Sequence, residues 1–398
     1  MVLRELYLNQ LIKFKDKDIV KIISGIRRCG KSTLLVQYRD YLLKNGVKQS
    51  QIIFINLESA QFDNIREYHD LYNFIQKKIK STDKKYYVFI DEIQNVLNFE
   101  RAVNSFSVDF DVDLYLTGSN AYLLSSEIST LISGRYVEIK MLPFSFAEYC
   151  TLWENKSKEE LFFQYMKYGG FPFISNSNDD DFINNYLEGI YNTVVVKDII
   201  KRNSFNDFTM LENILKTLMS AIGSPVSANS ICKILKNAGK SVSVDSVEKY
   251  MTAFCNAFIF NKVERYDLKG KQYLKTLQKY YVTDMGLRNF VLGYRQIEPT
   301  HALENIVYWE LIRRGYHVDI GNINGTEIDF VARKNSIIEY YQVSYSVANN
   351  ETLEREIRPF SITNDHYSRF LITMDRDFVN DINGVKKLWV VEWLCNYK

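Results

Sequence analysis

Cysteine is scarce in this chain, long apolar runs are missing, and neither sign of charge prevails. The five cysteines, Cys29, Cys150, Cys232, Cys255 and Cys395, are scattered along 398 residues with no paired spacing. That argues against a disulfide framework or a zinc site and fits a reducing cytoplasm. No apolar run approaches the ~18 residues of a membrane span, so no membrane partner is expected. Residues 1–14 carry Arg4, Glu5 and Lys13 without a continuous apolar stretch, which excludes a signal peptide. A net charge of +2 identifies no partner; only local clusters can. What remains, 46% hydrophobic and 25% charged residues, is an ordinary soluble globular composition. At this length about two or three domains are expected.

What is present is a phosphate-binding pattern. The apolar run from Val20 to Ile23 feeds Ser24-Gly25-Ile26-Arg27-Arg28-Cys29-Gly30-Lys31-Ser32-Thr33, and a helical pattern with Leu34, Leu35, Tyr38 and Leu42 follows directly. Glycine, four residues, then Gly-Lys-Ser between a strand and a helix is the arrangement of a nucleotide-binding P-loop. Gly25 and Gly30 free the backbone so that the N–H groups of Gly25 to Thr33 can turn toward phosphate oxygens. The helix that begins near Lys31 adds its unpaired N–H groups and the positive end of its dipole. Lys31 is expected to bridge the β- and γ-phosphates of ATP, and the Ser32 hydroxyl to ligate Mg²⁺. Cys29, inside this loop, reads as a passive loop residue in preference to a redox-sensing thiolate.

A buried strand, Tyr86 to Ile90, ends in Asp91-Glu92. Asp91 is placed to hold the Mg²⁺ shell, and Glu92 to orient or deprotonate the attacking water. A further strand ends in Thr117-Gly118-Ser119-Asn120. All three polar residues are candidates for a γ-phosphate sensor; Asn120 joins Lys31, Glu92 and Arg135 in the expected catalytic set. The competing reading makes Ser119 and Asn120 caps of a following helix. Arg135, entering a fifth strand, reads as an arginine finger or as a surface residue paired with Glu138. Strands and helices alternate with the ligand groups at strand C-terminal ends, which specifies an α/β doubly wound parallel sheet.

With Phe89-Ile90-Asp91-Glu92-Ile93-Gln94, Leu116-Thr117-Gly118-Ser119-Asn120-Ala121 and Leu142-Pro143-Phe144-Ser145-Phe146-Ala147-Glu148-Tyr149 added to the P-loop, the chain resembles the prokaryotic AAA-type ATPases that carry a C-terminal domain of unknown function. The resemblance runs nearly the full length. It implies an AAA+ core over 1–146, a helical lid over 147–205, a winged helix over 206–295 and a restriction-endonuclease-like domain over 296–398. In the third segment, residues 228–275 hold nine Lys or Arg against four carboxylates, with Lys269 and Lys271 at the expected wing tip. That bias suits DNA phosphates, and a plain protein-docking module is the alternative.

The tail is similar to PD-(D/E)XK nucleases: Glu304 on a helix, Asp329 in one strand and Gln342 in the next stand where such enzymes hold Mg²⁺. Ser344 occupies the lysine slot, and the amide of Gln342 replaces a carboxylate. The loss of a cation and an acid is expected to leave a vestigial, inactive site. Three functions follow: an ATP-hydrolysing switch acting on a nucleic-acid or protein partner, an ATP-dependent nuclease, or a sensor ATPase whose hydrolysis resets a homo-oligomer or other assembly.

Overall fold

The computed structural model describes residues 2–81, 83–119, 135–200, 203, 205, 207–294, 298–376 and 381–396. Asn120 and the 132–134 loop lie outside them, as does the side chain of Lys275. The chain falls into two compact units, Met1–Pro143 with Asn256–Phe258, and Phe144–Cys255 with Ile259–Lys398. Among the described residues no helix is long and apolar enough to cross a membrane.

The first unit runs α1 (Glu5–Lys13), β1 (Val20–Ser24), α2 (Lys31–Lys44), β2 (Ile52–Asn56), α3 (Tyr68–Lys78), β3 (Tyr86–Asp91), α4 (Phe99–Asp109), β4 (Val112–Gly118) and β5 (Tyr136–Lys140). The sheet order is β2-β3-β4-β1-β5 and every pairing is parallel. The strand carrying Thr117 therefore sits between the phosphate-loop strand and the strand that ends at Asp91. Period-two alternation builds two cores. Val88, Ile90, Leu114 and Leu116 point to the face covered by Leu71 and Ile75 of α3 and Val103 and Phe106 of α4. Phe89 and Tyr115 point the other way, onto Tyr38 of α2, whose hydroxyl lies 2.9 Å from that of Tyr115. Lys21, a charge inside an otherwise apolar strand, is tolerated because its ammonium bonds the Asp113 carboxylate and the Lys17 carbonyl, the latter at 2.8 Å.

In the second unit the segment expected to form a lid contributes α5 (Phe146–Cys150), α6 (Lys158–Tyr168) and α7 (Asp180–Asn192), the last running into a π-helical stretch, Thr193–Ile200. The helix α8 (Phe208–Ser220), then α9 (Ala228–Asn237), α10 (Val244–Asn256) and the hairpin β6 (Phe260–Asp267) and β7 (Gln272–Val282) follow. After α11 (Met285–Leu292) and α12 (Pro299–Arg313) come β8 (His317–Ile323), β9 (Thr326–Lys334), β10 (Ile337–Val343), α13 (Asn350–Ile362), β11 (Ser368–Thr373), β12 (Asp381–Ile382), β13 (Val385–Trp389) and α14 (Val390–Cys395).

The hairpin departs from a free wing. β6 pairs in parallel with β8, Arg265 opposite Ile320, and one eight-stranded sheet results, ordered β12-β13-β11-β10-β9-β8-β6-β7. An exposed β6 edge would leave a row of unpaired N–H and C=O groups, and β8 satisfies part of that row. At the tip, the Leu268 amide donates to the Asn322 carbonyl at 2.9 Å and its side chain packs on the tail's apolar cluster. Lys269 and Lys271 remain exposed.

The break between α6 and α7 is held by a buried carboxylate. Gly169 takes φ 77°, and a Cβ on Gly170 would stand 2.5 Å from the Phe144 carbonyl oxygen. The Gly170 amide donates to Asp284 at 2.7 Å, and the same carboxylate caps α11 by accepting from Leu287 at 3.0 Å. Burial pushes the Asp284 carboxyl up to about 6, although backbone donors at Gly170, Leu287 and Gly286 oppose the rise. A folded pKa above the unfolded one contributes stability that is complete below about pH 4 and lost as pH rises through about 6, on the order of 2–3 kcal/mol. Asp284→Asn keeps a capping oxygen but cannot titrate, so urea unfolding of this variant should lose that part of the decline between pH 4 and 7. A decline identical to that of the wild type would assign it to other groups.

Candidate functional site

The candidate nucleotide site assembles at the C-terminal ends of β1, β3 and β4. Gly25 has φ 148° and Gly30 φ 106°, and a Cβ on Gly25 would stand 2.1 Å from the Met141 carbonyl oxygen. Only glycine passes this point without moving β5's exit segment. Gly30 caps α2, so Lys31, Ser32 and Thr33 form its first turn. The Lys31 ammonium is buried, donates to the carbonyls of Gly25 at 3.0 Å and Ile26 at 3.2 Å, and lies 4.0 Å from Glu92. Ile26 is buried, Arg28 is exposed at φ 66°, and Arg27 pairs with Glu58 at 3.3 Å. The Cys29 thiol is fully buried, and burial pushes it up. The charges of Lys31 and Arg4 act against that rise without overcoming it, which favours the passive reading of this residue.

Asp91 accepts hydrogen bonds from Ser32 and Thr117. Burial pushes its carboxyl up, and these two hydroxyls partly offset that. The Ser32 to Asp91 contact places the two expected Mg²⁺ ligands side by side, so the donor set fits the ion. Glu92 stands in the left-handed region at φ 56°, ψ 50°, a conformation that costs about 1–2 kcal/mol for a residue with a side chain. Its amide donates to Thr117 Oγ1 at 2.9 Å, and its carboxylate accepts from Ser119 Oγ at 3.1 Å and from the Gln94 amide. Thr117 and Ser119 thus meet the two acids directly.

Two contributors were not legible as such. Arg4, one of the most deeply buried side chains, donates to the Cys29 carbonyl at 3.0 Å and the Leu142 carbonyl at 2.8 Å, tying the phosphate loop to the segment beyond β5. Its only sequence signal is a charge near the N-terminus. Gln94 follows the acidic pair and looks like a turn residue until its contact with Glu92 is seen.

Arg135 is not brought to this site within the chain. In the parallel pair, Tyr136 lies opposite Val20 and Lys140 opposite Ser24. Arg135 precedes the strand whereas the phosphate loop follows it, so the two are separated by about five residues of strand, roughly 15 Å. Glu138, the alternative partner, accepts from Ser24 Oγ.

In the tail, Glu304, Asp329 and Gln342 do converge, but around a cation that strand order hides. Lys279 of β7 lies 2.9 Å from Glu304 and 2.7 Å from Glu327. Tyr281 also donates to Glu304. The Asp329 amide donates to Gln342 at 2.6 Å, and its carboxylate accepts from the Val343 amide at 2.8 Å. Burial acts to lower the Lys279 ammonium, yet the charges of Glu304, Asp329 and Glu327 raise it above its ordinary value. Burial and the Glu304 charge push Asp329 well up. The cation that the expected nuclease pattern lacks at Ser344, one residue beyond β10, is thus matched in space by Lys279 of the hairpin. Among the described residues no group of three or more His, Cys, Asp or Glu is arranged to hold a metal ion.

Residues 17–150 match a family described as an AAA domain, and residues 159–298 match one described as a domain of unknown function. An uncharacterized protein of Haemophilus influenzae is 40% identical over 398 residues, 99% of this chain and 98% of that protein. One of Methanocaldococcus jannaschii is 27% identical over 394 residues, covering 90% of this chain and 84% of its own. The solved Walker-type ATPase of Pyrococcus abyssi is similar in fold, with a TM-score of 0.52 at 14% identity over 73% of this chain and 96% of that one. The chain therefore belongs to one family with the Haemophilus influenzae protein, and its first unit is an AAA-type P-loop ATPase domain.

Proposed function

We propose that the chain is an ATP-hydrolysing switch whose nucleotide state controls a nucleic-acid or protein partner through the second unit. The observation that carries the reading is the convergence of Lys31, Ser32, Asp91 and Glu92, with Lys31 4.0 Å from Glu92 and Ser32 bonded to Asp91. The backbone from Gly25 to Thr33 would cradle the phosphates, and Lys31 would leave its own loop carbonyls for phosphate oxygens. Ser32 and Asp91 would hold Mg²⁺, which when bound supplies charge neutralisation on the phosphates. Glu92 would take the proton of the attacking water, with Ser119 and Gln94 orienting its carboxylate.

Because Arg135 lies at the far end of the sheet, a finger role requires a second copy. Turnover should then rise faster than linearly with protein concentration. Arg135→Ala should remove that dependence while leaving nucleotide affinity nearly intact, as measured by phosphate release across a dilution series. Linear turnover, unchanged in the variant, would leave Arg135 a surface residue.

The exposed Lys269 and Lys271 support contact with DNA phosphates. Replacing both with alanine should weaken DNA binding to the same degree across sequences, and reduce the salt slope by about one log unit per lost phosphate contact. Anisotropy titrations with and without ATP test the switch itself. Absence of DNA binding by the wild type at low salt would favour a protein partner. The nuclease alternative is less well supported, since Lys279 already neutralises the carboxylates that would bind metal.

A further inference from the structure

We propose that Cys150 and Cys395 are a redox pair, a dithiol that hydroperoxides convert to a reversible disulfide pinning the C-terminal helix to the lid segment. The two cysteines are remote in sequence, but the second unit brings them together. Cys150 ends α5 and Cys395 ends α14, and α14 packs against both α5 and α6. Their thiols share a hydrogen bond, and Lys158, the first residue of α6, bonds the Cys395 sulfur. Both cysteines are half-buried, open to a small oxidant. The end of α14 is itself held, because the Arg314 guanidinium donates to the carbonyls of Trp393 and Asn396.

The chemistry distinguishes the two sulfurs. The hydrogen bond from Cys150 and the ammonium of Lys158 pull the Cys395 thiol down to about 7. The same hydrogen bond, together with burial, pushes Cys150 up. Lys158 bonds the Cys395 sulfur and not that of Cys150, which marks Cys395 as the nucleophile and Cys150 as the resolving thiol. The Cys395 thiolate attacks one peroxide oxygen and breaks the O–O bond. The departing oxygen takes a proton to become water or an alcohol, and Cys395 becomes a sulfenic acid. Cys150 then attacks that sulfur. The S–S bond forms, the sulfenic hydroxyl leaves with the Cys150 proton as water, and the two thiols have lost two electrons to the peroxide. A dithiol in a reducing cell restores the pair by exchange.

The test uses the 398-residue chain, reduced and then exposed to one equivalent of hydrogen peroxide. After alkylation and digestion, two of the five cysteines should resist alkylation, with a mass loss of about 2 Da per chain. One linked peptide pair should contain Cys150 and Cys395. Dithiothreitol should reverse the change, Cys395→Ser should abolish it, and Lys158→Met should slow it roughly tenfold by withdrawing the cation beside the thiolate. Peroxide that leaves both cysteines free to alkylate, or that produces only intermolecular dimers, would overturn the proposal. So would equal rates in the wild type and in folded Lys158→Met, since the assignment of the nucleophile would then fail.

Discussion

Lys31→Ala is expected to abolish tight nucleotide binding, whereas Glu92→Gln should bind nucleotide as the wild type does and lose turnover. The two residues lie 4.0 Å apart but act on different atoms. The ammonium of Lys31 now satisfies two carbonyls of its own loop, and it is the group placed to meet phosphate charge. Its removal costs charge-assisted hydrogen bonds, about 3 kcal/mol in all, which is an affinity loss of more than about 100-fold. Glutamine at position 92 keeps an oxygen for Ser119 and has the same length as glutamate, so the local bonds persist while proton acceptance is lost. A general base contributes about 10²–10⁴-fold to rate. Fluorescent-nucleotide titration and phosphate release measure the two effects separately. If Glu92→Gln hydrolyses ATP at the wild-type rate, the base is a different residue.

A comparably large effect, on stability this time, is expected at Lys279. The residue is almost inaccessible, at 2% exposure, and its ammonium is the cation shared by Glu304 and Glu327. Lys279→Met is close in volume but strands Glu304 beside the hydroxyl of Tyr281 with its charge uncompensated. Breaking a buried pair in this way costs about 3–5 kcal/mol. The pH dependence has a definite sign. Asp329 already sits well above its ordinary range, and removing the neighbouring cation moves it further up. Protonation then stabilises the folded variant, so its deficit should be largest at alkaline pH and shrink as pH falls. Urea unfolding at pH 5 and 8 measures this, and adding Glu304→Gln should restore part of the loss at pH 8. A deficit under about 1 kcal/mol at pH 8 would mean that water, not Lys279, compensates these acids.

The nucleotide site could be read from sequence because each of its parts is local. A P-loop is one strand, one loop and one helix N-terminus, and an acidic pair at a strand tip is one turn; neither needs distant residues to define its chemistry. The parallel α/β class followed from the same alternation of β and α segments, whereas the order β2-β3-β4-β1-β5 did not. The remaining features depend on contacts between residues far apart in the chain, and no pattern in a linear sequence encodes the distances involved. Arg135 looks well placed until strand pairing sends it to the opposite end of β1 from the loop. The hairpin from Phe260 to Val282 looks like a wing until its open edge is paired by β8. Ser344 stands where the expected nuclease pattern has a lysine, yet the sheet carries Lys279 to Glu304 and Glu327 from β7. Cys150 and Cys395 show no spacing at all, and only the packing of α14 on α5 makes them neighbours. Covalent neighbourhood and backbone periodicity determined the candidate phosphate loop and the α/β class; the pairing of charges and thiols was decided by tertiary structure, because electrostatic and hydrogen-bond energies depend on separation in space.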